Sequence, residues 1–228
     1  AHLEVRLDRY AEAEALALRA LATAEQVGDL TTQQQCTTVL GAATARLGRL
    51  DDARRWLERT LKLAERTADD THRAATYDNL ALIERLRGSL DDSLKLYRQG
   101  LRLHRELADA GGEAQCLNNL GVVHILRGEF ELAREVLQAS RRLCERHGLA
   151  SIRSMVEINL ANVAIEAGDD EAARAHARQA LEHTQANGQR ALTIDARLAL
   201  CAVALRQGDV AAAREELRAA LEIALPMQ

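Results

Sequence analysis

Aromatic side chains are scarce in this sequence: they make up 2% of its 228 residues, whereas hydrophobic residues as a whole make up 47%. Leucine and alanine must therefore supply most of the buried surface, which suits closely packed helices. Proline is almost absent as well, since Pro226 near the end of the sequence is the one example. Nothing before it interrupts helix formation, and these two shortages together predict an all-α protein.

Long apolar runs and clustered positive charge are also missing. No stretch of 18 apolar residues occurs and there is no signal-peptide pattern, so we expect a cytoplasmic protein with no membrane partner. The formal net charge is −4 and the arginines are scattered, with Lys62 and Lys95 the two lysines. Such a chain lacks the electrostatic footprint of a nucleic-acid-binding protein, and we expect no direct contact with nucleic acid.

Recognisable sites for chemistry are absent too. The cysteines, Cys36, Cys116, Cys144 and Cys201, form no C-x-x-C pair and are predicted to be small buried residues in a reducing compartment. Cys144 and His147 lie three residues apart, but two ligands do not make a structural zinc site. There is no P-loop, G-x-S-x-G or H-E-x-x-H motif. We therefore predict no enzymatic activity, no catalytic residues, no metal and no cofactor.

What the sequence does contain is a repeat of 40 residues that keeps its phase without insertion or deletion. A glycine starts the same kind of turn in each copy, at Gly48, Gly88, Gly128, Gly168 and Gly208. A leucine stands eight residues before each glycine, and a small residue follows that leucine. Each copy is therefore predicted to be two antiparallel helices, A and B, which the small residues allow to approach closely. The predicted organisation is one domain, with a partial repeat at 1–28 and full repeats at 29–68, 69–108, 109–148, 149–188 and 189–228.

The pattern of leucine, a small residue, six intervening residues and Gly-x-aromatic or aliphatic-x-x-Ala resembles the tetratricopeptide repeat (TPR) over essentially the whole chain. The 40-residue period is similar to that of the long-repeat type, as in helical regulatory domains of bacterial transcriptional activators and in peptide-receptor regulators. The resemblance implies an all-α, right-handed superhelical solenoid of antiparallel helix pairs, whose A helices line a concave groove. One departure is that the aromatic positions of the family are mostly aliphatic here. Because the sequence begins at Ala1 in mid-pattern, we expect a fragment of a longer protein that carries the output domain elsewhere.

Asparagine has an unusual place in the A helices. Asn118 and Asn119 stand side by side in mid-helix, where asparagine is unfavourable because its side chain competes for backbone hydrogen bonds. On a helical wheel they share a face with Gln115 and Val122 that lies away from the packing face. The corresponding faces of the second and fourth full repeats carry Asn79, Asn159 and Asn162. This recurrence predicts a polar surface along the A helices.

The predicted use of this surface is to hold a peptide. A carboxamide presents a donor and an acceptor that match the N–H and C=O of an extended backbone. TPR proteins with asparagine-bearing A helices bind peptides in this way, and the resemblance implies backbone capture by Asn79, Asn119 and Asn159, helped by Gln115, Asn118 and Asn162. Specificity is assigned to Asp78, Leu82, Arg85, Val122, Ile158 and Glu166. Arg46, Arg85 and Arg206 are predicted to bind acidic side chains of a ligand.

Other interpretations stay open. The asparagines can instead bond to one another or to the backbone and fill a seam between repeats, because buried polar groups usually find internal partners. The predicted function is a protein- or peptide-binding scaffold that serves as the sensor or interaction domain of a bacterial transcriptional or signalling regulator. The alternatives are self-association through exposed solenoid ends, which gives a homo-oligomer, and the sensing of a small effector.

Overall fold

The computed structural model describes residues 2–225 of the chain, with side chains from Arg9 onward, so that Ala1 and residues 226–228 lie outside the described residues. The described residues form eleven α-helices and no strand, which confirms the predicted all-α class. The helices are α1 (His2–Val27), α2 (Leu30–Arg46), α3 (Leu50–Arg66), α4 (Asp70–Leu86), α5 (Leu90–Glu106), α6 (Ala110–Leu126), α7 (Phe130–His147), α8 (Ala150–Ala167), α9 (Asp170–Ala186), α10 (Arg190–Arg206) and α11 (Val210–Ala224). Among them, no helix combines the length and the apolar character that a membrane span requires.

The helices pack in the pairs that the repeat predicts, namely α2 with α3, α4 with α5, α6 with α7, α8 with α9 and α10 with α11. Helix α1 takes the place of a B helix and packs on α2. Most B helices also pack on the A helix of the next pair, as α7 does on α8. The chain divides between Asp109 and Ala110 into a first unit, α1–α5, and a second unit, α6–α11, each of which is a solenoid of helix pairs.

The turns explain why glycine recurs every 40 residues. Between helices A and B, φ is +78° at Gly48 and +72° at Gly128, a left-handed conformation that costs a residue with a side chain roughly 1–2 kcal/mol. The turn between successive repeats needs the same conformation. There the first unit has Gly28 (φ +74°) and then Ala68 (φ +51°) and Ala108 (φ +53°), whereas the second unit has Gly148 (φ +66°) and Gly188 (φ +64°).

Aspartates begin several of the helices. Asp29 and Asp69 cap α2 and α4 by accepting hydrogen bonds from the backbone N–H groups of Thr32 and His72, at 3.1 and 3.0 Å. These caps satisfy donors that the first turn of a helix leaves open. Asp51 and Asp52 lie in the first turn of α3, and Asp91 and Asp92 lie in the first turn of α5, where their charges complement the positive end of the helix dipole.

Small residues bring the A and B helices of a pair close together. A Cβ atom on Gly121 would lie 2.5 Å from Leu137 Cγ, and one on Gly41 would lie 2.8 Å from Leu57 Cγ. Both leucines are buried in the core of their own unit. The predicted role of the small residue after each core leucine is therefore confirmed at these two positions.

Candidate functional site

Four carboxamide side chains lie on one face of the second unit. Gln115 and Asn119 are four residues apart on α6, and Asn159 and Asn162 are three apart on α8, so each pair shares a helix face. Helices α6 and α8 pack side by side, and all four side chains are partly exposed. We call these four residues the amide face. All four belong to the set of residues for which the sequence predicts capture of a peptide backbone.

The two adjacent asparagines of α6 make different contacts. Asn118 is 3% exposed, and its Oδ1 accepts a hydrogen bond of 2.9 Å from Asn159 Nδ2 across the seam between α6 and α8. Asn119 lies on the amide face, where its Oδ1 accepts a hydrogen bond of 3.1 Å from Gln115 Nε2. Successive helical residues point about 100° apart, which allows one asparagine to enter the seam and the next to stay outside it. The alternative interpretation of a seam between repeats therefore describes the Asn118–Asn159 pair.

Much of the hydrogen-bonding capacity of the amide face is open. Within the described residues, neither Asn119 Nδ2 nor Asn159 Oδ1 has a hydrogen-bond partner. The Asn162 side chain likewise makes no hydrogen bond to the described part of the chain. The face thus offers a donor, an acceptor and one complete carboxamide to an incoming group.

The other predicted residues of the second unit differ in exposure. Val122 is half-buried beside the amide face, and Glu166 is exposed near the end of α8. Ile158 is 7% exposed and packs in the core with Ala180 and Ala196. Its side chain stabilises α8 against the neighbouring helices and is not among the ligand contacts that we propose.

In the first unit, the predicted specificity residue Asp78 is committed to a buried histidine. Asp78 Oδ2 lies 2.9 Å from His104 Nε2, and Asp109 Oδ2 lies 2.9 Å from His104 Nδ1. Each ring nitrogen therefore faces a carboxylate oxygen at hydrogen-bonding distance, an arrangement that favours the protonated ring. The hydrogen bond to Asp78 raises the pKa of His104 above its ordinary value, while burial acts in the opposite direction.

A pocket of about 500 Å³ opens between α2 and α4 of the first unit. Its lining brings together three residues that the sequence had marked as contacts for a ligand, Arg46, Asn79 and Leu82. Arg85 is half-buried on the same helix, outside this lining. The remaining predicted arginine, Arg206 of the second unit, is held by Asp170 through a 2.8 Å contact from its Nε.

Sequence reasoning did not foresee this pocket, although the sequence carries a signal for it. Ala42 and Ala45 line it from α2, and the third full repeat has the larger Val122 and Ile125 at the same two positions. A comparison of side-chain volumes at equivalent positions of the repeats reveals the missing volume that forms the pocket. The predicted ladder of Asn79, Asn119 and Asn159 remains a prediction, since Asn79 belongs to the first unit and the other two to the second.

Three solved structures are similar in fold to this chain. BtubC from P. vanneervenii is 20% identical, with a TM-score of 0.80 over 96% of this chain and 95% of that one. The Signal Transduction ATPase with Numerous Domains protein PH0952 from Pyrococcus horikoshii, which has a tetratricopeptide repeat sensor, is 19% identical, with a TM-score of 0.78 over 92% of this chain and 33% of that one. The Rap conjugation gene regulator of the plasmid pLS20, in complex with the Phr* peptide, is 19% identical, with a TM-score of 0.70 over 95% of this chain and 58% of that one. At these identities the likeness shows the fold, and the chain spans only part of the two regulatory proteins.

No curated protein is detectably similar to this chain in sequence. A family model described as Tetratricopeptide repeat matches residues 33–106 and 72–146, and a second model of the same description matches residues 155–179 and 195–219. The first two matches overlap and together cover half of the chain, and all four fall on the helix pairs described above. The chain belongs to the tetratricopeptide repeat family.

Proposed function

We propose that this chain is a protein-interaction module that holds an extended segment of a partner protein against the amide face of its second unit. The observation that carries the proposal is the open hydrogen-bonding capacity of Asn119, Asn159 and Asn162 on one partly exposed surface. Polar groups of this kind recognise the peptide backbone itself and leave the side chains of the ligand to set specificity.

The spacing of the helices suits an extended chain. Neighbouring packed helices lie roughly 8–10 Å apart, and an extended strand advances about 3.3 Å per residue. A partner segment that crosses from α6 to α8 therefore presents a backbone group to each helix about every three residues. In this arrangement Asn119 donates to a carbonyl group of the segment, and Asn162 donates and accepts at the next repeat.

Two further residues prepare the surface for binding. Asn118 Oδ1 accepts a hydrogen bond from Asn159 Nδ2, which fixes the Asn159 amide group and leaves its Oδ1 free to accept. Gln115 binds Asn119 Oδ1 and leaves its NH₂ group free to donate. A side chain that is already held in its binding conformation loses less entropy when the ligand arrives. Val122, beside the face, supplies an apolar contact, and Glu166 supplies a negative charge at the end of α8.

The wider setting that we propose is the sensor or interaction domain of a regulator. PH0952 has a tetratricopeptide repeat sensor, and the Rap regulator of pLS20 is in complex with a peptide, so proteins of this fold serve in both ways. This chain spans only part of both proteins, and the regulatory output is assigned to the rest of a longer chain.

The test begins with a random peptide library displayed on phage and selected against the purified chain. The affinity of one enriched peptide is then measured by fluorescence anisotropy for wild type, Asn119→Ala and Asn162→Ala. We expect each substitution to weaken binding roughly three- to tenfold, which is the range for one hydrogen bond. Asn187→Ala is the matched control, because Asn187 Nδ2 bonds to His183 O in a turn of the same unit. Unchanged affinity in both amide-face variants contradicts the proposal.

A further inference from the structure

The pocket between α2 and α4 exists because small residues occupy two positions of the repeat register. Ala42 and Ala45 line the pocket, where the third full repeat has Val122 and Ile125. The fourth full repeat has Asn162 and Ile165 at the same two positions. The pocket is therefore a feature of the first unit's sequence and does not follow from the repeat architecture alone.

The pocket has apolar walls, and its floor belongs to the hydrophobic core. Leu57 and Ile83 are 3% and 2% exposed and belong to the core of the first unit. Leu82 and Leu86 on α4 are 37% and 52% exposed, although both line the pocket. A volume of about 500 Å³ lies within the range of ordinary ligand sites and can take a large aliphatic side chain.

Two polar groups stand at the pocket. Arg46 is exposed at the C-terminal end of α2 and forms no ion pair within the described part of the chain. Asn79 is exposed on α4 and also lines the pocket. A cation without a partner beside an apolar cavity is complementary to a ligand that carries a carboxylate next to an aliphatic group.

We propose that this pocket binds a leucine, isoleucine or methionine side chain of a partner segment whose sequence neighbour is aspartate or glutamate. The aliphatic side chain covers Leu82 and Leu86 and rests on Leu57 and Ile83. Arg46 pairs with the acidic neighbour. Asn79 bonds to the intervening peptide group. The inference rests on the proposed function, that the chain binds partner segments, and it names the recognition element that the first unit takes.

In the experiment, the methyl groups of the full chain are isotopically labelled and their NMR chemical shifts are followed. The blocked tripeptide acetyl-Asp-Leu-Asp-amide is the titrant. Two matched probes separate the parts of the motif: acetyl-Asn-Leu-Asn-amide removes the charge and acetyl-Asp-Ala-Asp-amide removes the aliphatic group. We expect shifts at Leu82, Ile83 and Leu86, binding roughly two- to fivefold weaker without the charge, and binding roughly tenfold weaker without the leucine. Absence of shifts at these methyl groups, or equal binding of the leucine and alanine probes, overturns the proposal.

Variants at exposed or half-buried positions keep the test independent of folding. Ala42→Phe fills the pocket from an exposed position and should abolish the shifts, whereas Ala202→Phe places the same side chain at the same register position in the second unit and should leave them unchanged. Arg46→Leu copies Leu126 of the third full repeat and should make the charged and uncharged leucine probes equal. Retained binding in Ala42→Phe, or a retained charge preference in Arg46→Leu, contradicts the inference.

Failure of this inference and failure of the proposed function are distinguishable. The tripeptide is read out at methyl groups of the first unit, whereas the selected peptide is tested through Asn119 and Asn162 of the second unit. If the tripeptide shifts the methyl signals of Leu82 and Leu86 but the asparagine variants bind the selected peptide normally, the pocket proposal is supported and the amide-face proposal is contradicted. The reverse pattern rejects the pocket and keeps the amide face.

Discussion

The two units use one repeat register in different ways. Between α2 and α4 of the first unit, small side chains leave a pocket of about 500 Å³. Between α6 and α8 of the second unit, a hydrogen bond from Asn159 to Asn118 joins the helices across their seam. The four A helices are 17 or 18 residues long, and a turn glycine with positive φ follows each of them. One scaffold therefore supports an apolar cavity or a polar surface according to a few side chains.

A second difference lies in the contact between the A and B helices of one repeat. Glu157 is fully buried in the second unit, with its Oε2 2.7 Å from His176 Nδ1. The next repeat carries its acidic residue on the other helix, since Arg197 Nη1 lies 2.7 Å from Glu216 Oε2 at the same two positions. The other repeats have Thr37 and Trp56, Tyr77 and Leu96, and Leu117 and Val136 there. The register thus accepts polar side chains that bond to each other as well as the apolar pair of Leu117 and Val136.

The largest expected effect comes from breaking one of these matched pairs. His176→Val removes the hydrogen bond of His176 from the buried Glu157 carboxylate and leaves it only the Gln179 amide group at 3.3 Å, and we expect the free energy of unfolding to fall by about 3 kcal/mol. Denaturant titration followed by circular dichroism measures the change.

The control for this prediction restores a match. Glu157→Leu combined with His176→Val copies the Leu117–Val136 pair, and we expect the double variant to recover most of the lost stability. If the double variant is as unstable as His176→Val alone, loss of packing and not the unpaired charge explains the effect.

The polar seam can be broken in a similar way. Asn118→Ala removes the acceptor of Asn159 Nδ2, and we expect a loss of about 1–2 kcal/mol in the free energy of unfolding. Asn118→Ile with Asn159→Ala copies Ile158 and Ala199 of the next seam and should restore stability. An equal loss in the single and double variants would show that the hydrogen bond is not what stabilises this seam.

A smaller effect is expected at the turns between successive repeats. Ala68 has φ +51° where the second unit has glycine, and we expect Ala68→Gly to raise the free energy of unfolding by about 1 kcal/mol. The opposite exchange in the second unit, Gly148→Ala, should lower it by a similar amount. Thermal unfolding of both variants checks the signs, and two changes of the same sign would contradict this account of the turns.

The smallest expected effect is a pH dependence in the first unit. The carboxylate of Asp78 raises the pKa of His104, so the protonated ring stabilises the fold most at pH values below about 6.5, its ordinary unfolded pKa. That contribution is lost as the pH rises through the folded-state pKa. The difference in stability between wild type and His104→Gln should therefore shrink as the pH rises above about 6.5. His147→Gln, at an exposed site, is the control, and a wild-type advantage that grows with pH would contradict the sign.

The architecture could be predicted from the sequence because it depends on features that repeat. A glycine at each turn between helices A and B indicates the left-handed backbone conformation there, and a small residue after each core leucine indicates the close approach of two helices. Both features recur 40 residues apart. Their positions located the helix pairs correctly. Repetition also identified Asn119, Asn159 and Asn162 as residues of one surface.

The site was harder to predict because its details do not repeat. A helical wheel grouped Asn118 with Asn119, but the rotation of α6 against α8 buries the first and exposes the second. Ile158 has the register position of Asn118 and is buried for the same reason. The pocket arises from the small volume of Ala42 and Ala45, and a search for chemically active residues does not detect missing volume.

The measurement that tests the central claim most directly is a double-mutant cycle between Asn119 and the backbone of a selected peptide. Affinities are measured for wild type and Asn119→Ala, each with the peptide and with a version N-methylated at one residue at a time. Backbone capture predicts that, at one or two residues, N-methylation weakens binding to wild type strongly and binding to Asn119→Ala much less, because both changes remove the same contact. Additive losses at every residue of the peptide would contradict capture of the backbone by the amide face.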